Sequence, residues 1–94
     1  MGAFLFRGNM STRVAVMSII VEAGESVEPL NLLLSEYGRY IIGRMGIPYK
    51  DRGISIISIA MDAPQDAISA LSGRIGKLKG ISVKTAYSSV ITDG

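Results

Sequence analysis

The chain has 94 residues, 48% of them apolar and 19% charged, with a net charge of +2 and no Cys, His or Trp. One small domain of this length buries roughly 60–65% of its unfolded surface and has little interior to give to a large cofactor. Without Cys there are no disulfides, iron–sulfur clusters or thiolate metal sites, and without His there are no serine triads or zinc-hydrolase sites. The remaining option, a hard-cation site, would need carboxylates close together, yet the four Asp and four Glu are scattered. No metal and no cofactor are expected. Lys and Arg form no run, so direct nucleic-acid binding is not expected. The longest apolar stretches, near Val14–Val21 and Ile54–Met61, fall well short of the ~20 residues of a membrane span. Ala3-Phe4-Leu5-Phe6 is too short for a signal-peptide core. The expectation is a cytoplasmic protein with no membrane partner.

Residues 1–11 show no period and read as an extension, poorly ordered or clamped by a partner, ahead of one domain over 12–94. Thr12–Glu22 is rich in Val and Ile and reads as a strand. Val14, Val16 and Ile20 alternate in it with Ala15, Met17, Ile19 and Val21, so both faces are apolar, as in a covered central strand. After the Ala23-Gly24-Glu25 turn, Ser26 is placed to cap a helix whose buried face is Leu30, Leu33, Leu34 and Tyr37. Gly38 is expected to stop that helix in a left-handed conformation. Ile41–Tyr49 reads as a second strand, demoted to an edge by Gly43, Gly46 and Pro48. Lys50-Asp51-Arg52-Gly53 makes a hairpin turn into Ile54–Met61, a third strand that is again apolar on both faces. Pro64 is expected at the first position of a second helix, with Ile68, Leu71, Ile75 and Leu78 as its buried stripe. Ser82–Val90 is more polar and reads as a second edge.

The order β-α-β-β-α-β is the ferredoxin-like split βαβ arrangement, an α+β sandwich. Right-handed crossovers place the strands in the order 4-1-3-2 with two helices on one face. The two doubly apolar strands are then central and the two Gly-, Pro- or polar-rich strands are edges. Two helices cover only one face of such a sheet. The other face exposes either Ala15, Met17, Ile19 and Val21 or their alternates, together with the matching residues of strand 3; register decides which. A patch of that kind marks an interaction surface, so a homo-oligomer, dimer or tetramer, is expected.

The layout resembles the ACT-like regulatory domains, small βαββαβ units that associate through their sheets and often bind a small effector. Gly43-Arg44-Met45-Gly46-Ile47-Pro48-Tyr49 and Ser72-Gly73-Arg74-Ile75-Gly76 carry a narrower resemblance, across about Thr12–Val90, to the short stand-alone iron-only hydrogenase system regulators. The resemblance implies the fold and a non-enzymatic regulatory role, with a protein partner where transcription is the target. The same fold forms the effector domain of nickel-responsive repressors, whose His and Cys ligands this chain lacks.

In ACT-like domains the corner between strand 1 and helix 1 holds an amino-acid effector. Here that corner is Gly24-Glu25-Ser26. Backbone N–H groups at a helix start suit a carboxylate, and Glu25 could meet an ammonium group; an ordinary capped turn has the same sequence. Arg44, between two glycines, could pin a carboxylate or phosphate, or it could snorkel from the sheet edge or pair across an interface. Asn31, near the corner, adds a polar contact or is a solvated helix residue. Gly73 and Gly76 bring a helix backbone close either to a ligand or to packed neighbours. The tyrosines form no stacking pair for RNA, because strands 1 and 3 carry no aromatic residue.

Overall fold

The computed structural model describes residues 11–92. Its elements are β1 (Thr12–Val21), α1 (Val27–Glu36), β2 (Ile41–Tyr49), β3 (Ile54–Ala63), α2 (Gln65–Gly76) and β4 (Ile81–Thr92). Apart from Ser11, the expected N-terminal extension lies outside the described residues, as do residues 93–94. The strands form one sheet in the order β2-β3-β1-β4, all neighbours antiparallel. This is the ferredoxin-like α+β arrangement expected from the sequence.

Register settles which alternation set faces the helices. Ala15, Met17, Ile19 and Val21 of β1 and Ile57, Ile59, Met61 and Ala63 of β3 are buried. They form one core with Leu30 and Leu34 of α1 and Ile68, Leu71 and Ile75 of α2, so both helices lie on the same face. The open face therefore carries the alternates, including Val14, Val16 and Ile20, which are about two-fifths exposed. From Ala15 to Val21 and from Ile57 to Ala63 the odd-numbered set is an uninterrupted apolar row. The even set is broken by Ser18 and Ser58, which pair directly across β1 and β3. Burying the odd set leaves fewer hydroxyls to satisfy in the core.

Several local expectations are corrected. Gly38 does not adopt a left-handed conformation; positive φ occurs at Gly53 (65°) and Gly80 (67°), and Gly38 opens a 3₁₀ turn, Gly38–Tyr40. Ser26 does not cap α1 through its side chain. Its hydroxyl donates instead to the Lys79 carbonyl at 2.6 Å. Pro64 is the residue before α2 rather than its first, with an extended ψ of 148°. Leu78 lies beyond the end of α2 and is partly buried against the core. The hairpin between β2 and β3 closes as expected at Gly53, whose N–H donates to the Lys50 carbonyl at 3.1 Å.

Candidate functional site

The corner between β1 and α1 is built jointly with the turn that enters β4. The Glu22 N–H donates to the Gly80 carbonyl at 2.7 Å, and Ser26, only 3% exposed, anchors its hydroxyl on Lys79. Glu25 reaches Lys79 Nζ at 3.6 Å, both side chains well exposed. Gly80 packs so tightly that a Cβ there would sit 2.7 Å from the Ala23 Cβ. Gly24, by contrast, faces open space. Of the expected site residues, Glu25 and Ser26 thus meet the turn into β4. Arg44 and Asn31 meet each other, with Arg44 Nη2 donating to Asn31 Oδ1 at 3.2 Å across the exposed edge of the sheet. Among the described residues, no hydrogen bond or ion pair links the two groups.

The glycines of α2 are not points of close approach. A Cβ at Gly73 would touch nothing within 4 Å, and one at Gly76 would reach only Val83 Cγ1 at 3.9 Å. Among the described residues no three Asp, Glu, His or Cys side chains gather as a metal-ligand set. No helix among them is long and apolar enough to cross a membrane.

The open face of the sheet is the broadest feature. Cross-strand pairing aligns Ile47 of β2, Ile56 of β3 and Ile20 of β1 in one row, flanked by Ser82 of β4. Adjacent rows hold Met45-Ser58-Ser18-Lys84 and Gly43-Ala60-Val16-Ala86. Tyr49 and Ile54 end the face on one side, and Val14 and Asp62 end it on the other. Met45 is 57% exposed, and Ile47, Tyr49, Ile56 and Ile20 each 40–47%. Contiguous apolar surface of this kind is what interaction sites are commonly built from. A polar cluster of Arg13, Gln65, Ser69 and Tyr87, drawn from β1, α2 and β4, was not anticipated from the sequence.

Residues 13–85 match the TM1266-like family, described as "Iron-only hydrogenase system regulator, putative". None of the curated proteins matches. Among solved structures, that of the uncharacterized protein TM1266 from Thermotoga maritima is similar with a TM-score of 0.78 and 30% identity, covering 81% of this chain and 96% of that one. A formyltetrahydrofolate deformylase from Pseudomonas putida KT2440 matches with a TM-score of 0.58 and 13% identity over 78% of this chain, which is 28% of the deformylase. The de novo designed protein Foldit4 matches with a TM-score of 0.55 and 19% identity, covering 84% of this chain and 98% of the design. The latter two likenesses are of fold alone. The family match over most of the domain, together with the likeness to the Thermotoga protein at nearly its full length, shows that the chain belongs to the TM1266-like family.

Proposed function

We propose that the protein is a non-enzymatic, cytoplasmic regulatory module of the iron-only hydrogenase system that works as a homo-oligomer, a dimer or tetramer, assembled through the open face of its sheet. The observation that carries this reading is the contiguous apolar row Ile47-Ile56-Ile20 and its flanks Val16, Met45 and Tyr49. The face measures roughly 19 Å across four strands and 30 Å along them, a flat footprint of about 570 Å², somewhat below the ~800 Å² per partner of a standard interface. A second copy suits it as occupant. The face carries Lys84 and Asp62, for which no ion pair occurs among the described residues. In a two-fold arrangement the lysine of one copy can meet the aspartate of the other. With few positive charges on this surface, an effect on transcription would pass through a protein partner rather than direct DNA contact.

Size-exclusion chromatography with light scattering at micromolar concentration tests the assembly. A mass that is a multiple of 10.0 kDa is expected, falling to the protomer mass in Ile56→Lys. A wild-type protein that runs as a single protomer overturns the assembly.

A small effector such as an amino acid fits this scheme at the corner between β1 and α1. Gly24 is open and Glu25 is held only by an exposed ion pair, which exchanges at little cost. Arg44 and Asn31 offer a second polar contact. The effector would act by favouring one subunit arrangement. Thermal-shift titration with amino acids is expected to show a stabilisation that Gly24→Val abolishes. Because Gly24 has space for a side chain, loss of the shift reports on the site rather than on folding. No shift with any amino acid removes the corner as an effector site.

A further inference from the structure

The end of β1 opposite that corner carries a second polar site. Arg13 lies on the helix-facing side of the sheet, paired with Ala63 of β3, about 26 Å along β1 from Val21. The register between β1 and β4 shifts between Arg13 and Ala15. The shift frees the Ser88 carbonyl to accept from Arg13 Nε at 3.3 Å, a common use of a bulge beside a functional site. Arg13 Nη1 donates to Gln65 Oε1 at 2.9 Å, and the guanidinium lies 4.9 Å from the centre of the Tyr87 ring. The Gln65 amide passes the polarity on. Its Nε2 donates to the Ser69 hydroxyl and to the Tyr87 hydroxyl, both at 3.2 Å.

This chain of contacts has a direction. An arginine has five N–H donors and no acceptor. Among the described residues two of them are engaged, and no partner for Nη2 occurs there. The Ser69 and Tyr87 oxygens accept from Gln65, so their own protons remain to be donated. Arg13 forms no ion pair with any carboxylate among the described residues. The capacity left over in the cluster is thus donor capacity around a permanent positive charge. Arg13 and Gln65, with Ser11 and Thr12, line a cavity of about 270 Å³. That is below the usual range for drug-sized ligands. A shallower depression lined by Ser11, Gln65, Asp66 and Ser69 adjoins it, and Asp66 would repel a polyanion there.

We propose that the Arg13-Gln65-Ser69-Tyr87 cluster is a binding site for a compact oxyanion, a small carboxylate or phosphate-bearing metabolite. Arg13, which lines the cavity, donates to the anion, while Gln65 and the Tyr87 ring hold its guanidinium in place. The site is independent of the sheet interface, since Arg13 and Tyr87 lie on the opposite face.

The test is titration of the isotope-labelled full chain with inorganic phosphate, and separately with acetate, against chloride at matched ionic strength, followed by nuclear magnetic resonance. Saturable shifts are expected in the Gln65 side-chain amide and the Arg13 Nε–H with at least one of the two anions. A response to only one of them identifies the oxyanion class. Arg13→Gln should weaken the binding by about ten-fold or more, and Tyr87→Phe, which keeps the ring beneath Arg13 but removes the hydroxyl that holds Gln65, by several-fold. Dispersed amide spectra of both variants guard against misfolding as the cause. A non-saturating drift with both anions, or titrations that neither variant alters, would overturn the proposal. Neither result bears on the oligomeric mass, so this site and the sheet interface succeed or fail separately.

Discussion

Two glycines with opposite surroundings separate a backbone need from a sequence habit. Gly80 holds φ at 67° and faces Ala23 at a distance no side chain tolerates. An L-residue in that conformation costs about 1–2 kcal/mol, and the crowding against Ala23 adds to it. Gly80→Ala should therefore destabilise the protein by about 2 kcal/mol or more, measured by urea unfolding, and loosen the Ser26–Lys79 contact beside it. Gly73 sits in the exposed middle of α2 with nothing near its would-be Cβ. Gly73→Ala should stabilise by about 0.5–1 kcal/mol through helix propensity alone. Composition and periodicity treat the two residues alike, because neither reports the space around a Cβ. The same holds for Ser26. Its position suggests a helix cap, but a carbonyl 53 positions away in the chain takes its hydroxyl.

Between the helices, one ion pair ties their C-terminal ends. Arg74 of α2 donates to both carboxylate oxygens of Glu36 of α1, at 2.8 and 3.4 Å, and lies 5.7 Å from the Tyr37 ring centre. The Arg74 hydrogen bond and charge hold the Glu36 carboxyl below its ordinary value, and the pair raises the guanidinium further. Because the folded-state value of Glu36 is depressed, its contribution is present above the usual carboxylate range and is lost as pH falls through the lowered folded value. Both partners are about half exposed, so solvent screening keeps the effect small. In thermal melts, the gap between wild type and Glu36→Gln should be positive near neutrality, shrink in acid and diminish with added salt. Helix and strand positions were legible from periodicity, down to the bounds of β2 and the edge status of β2 and β4. The ends of elements were less so, as at Gly38 and Pro64. Terminal residues are decided by which neighbouring backbone group takes the hydrogen bond, and that neighbour is distant in sequence.

At the scale of the whole molecule, the proposed sheet-to-sheet association predicts that the melting temperature rises with protein concentration, because dissociation would accompany unfolding. Ile56→Lys should abolish that dependence while leaving the odd-numbered core, and hence the far-UV spectrum, intact. A melting temperature that is flat from low to high micromolar concentration would contradict the assembly. The contacts of the expected site residues, Glu25 and Ser26 with Lys79 and Arg44 with Asn31, were not legible in the sequence. The Arg13 cluster was missed altogether. In the sequence Arg13 is only a charged residue near the start of β1; β4 and α2 bring Tyr87 and Gln65 to it.

The chain's own pattern was enough for the element order, the identity of the central strands, and the exclusion of thiolate and imidazole chemistry, since these depend on residue type and local period. It could not say which side of the sheet the helices cover. In β1 and β3 both alternation sets are mainly apolar, and one serine in each even set, Ser18 and Ser58, is too little to decide which set turns inward. A shift of one residue exchanges the core with the surface, and only the packed register, with Ser18 set against Ser58 on the outside and Met17 against Ile59 within, breaks that symmetry.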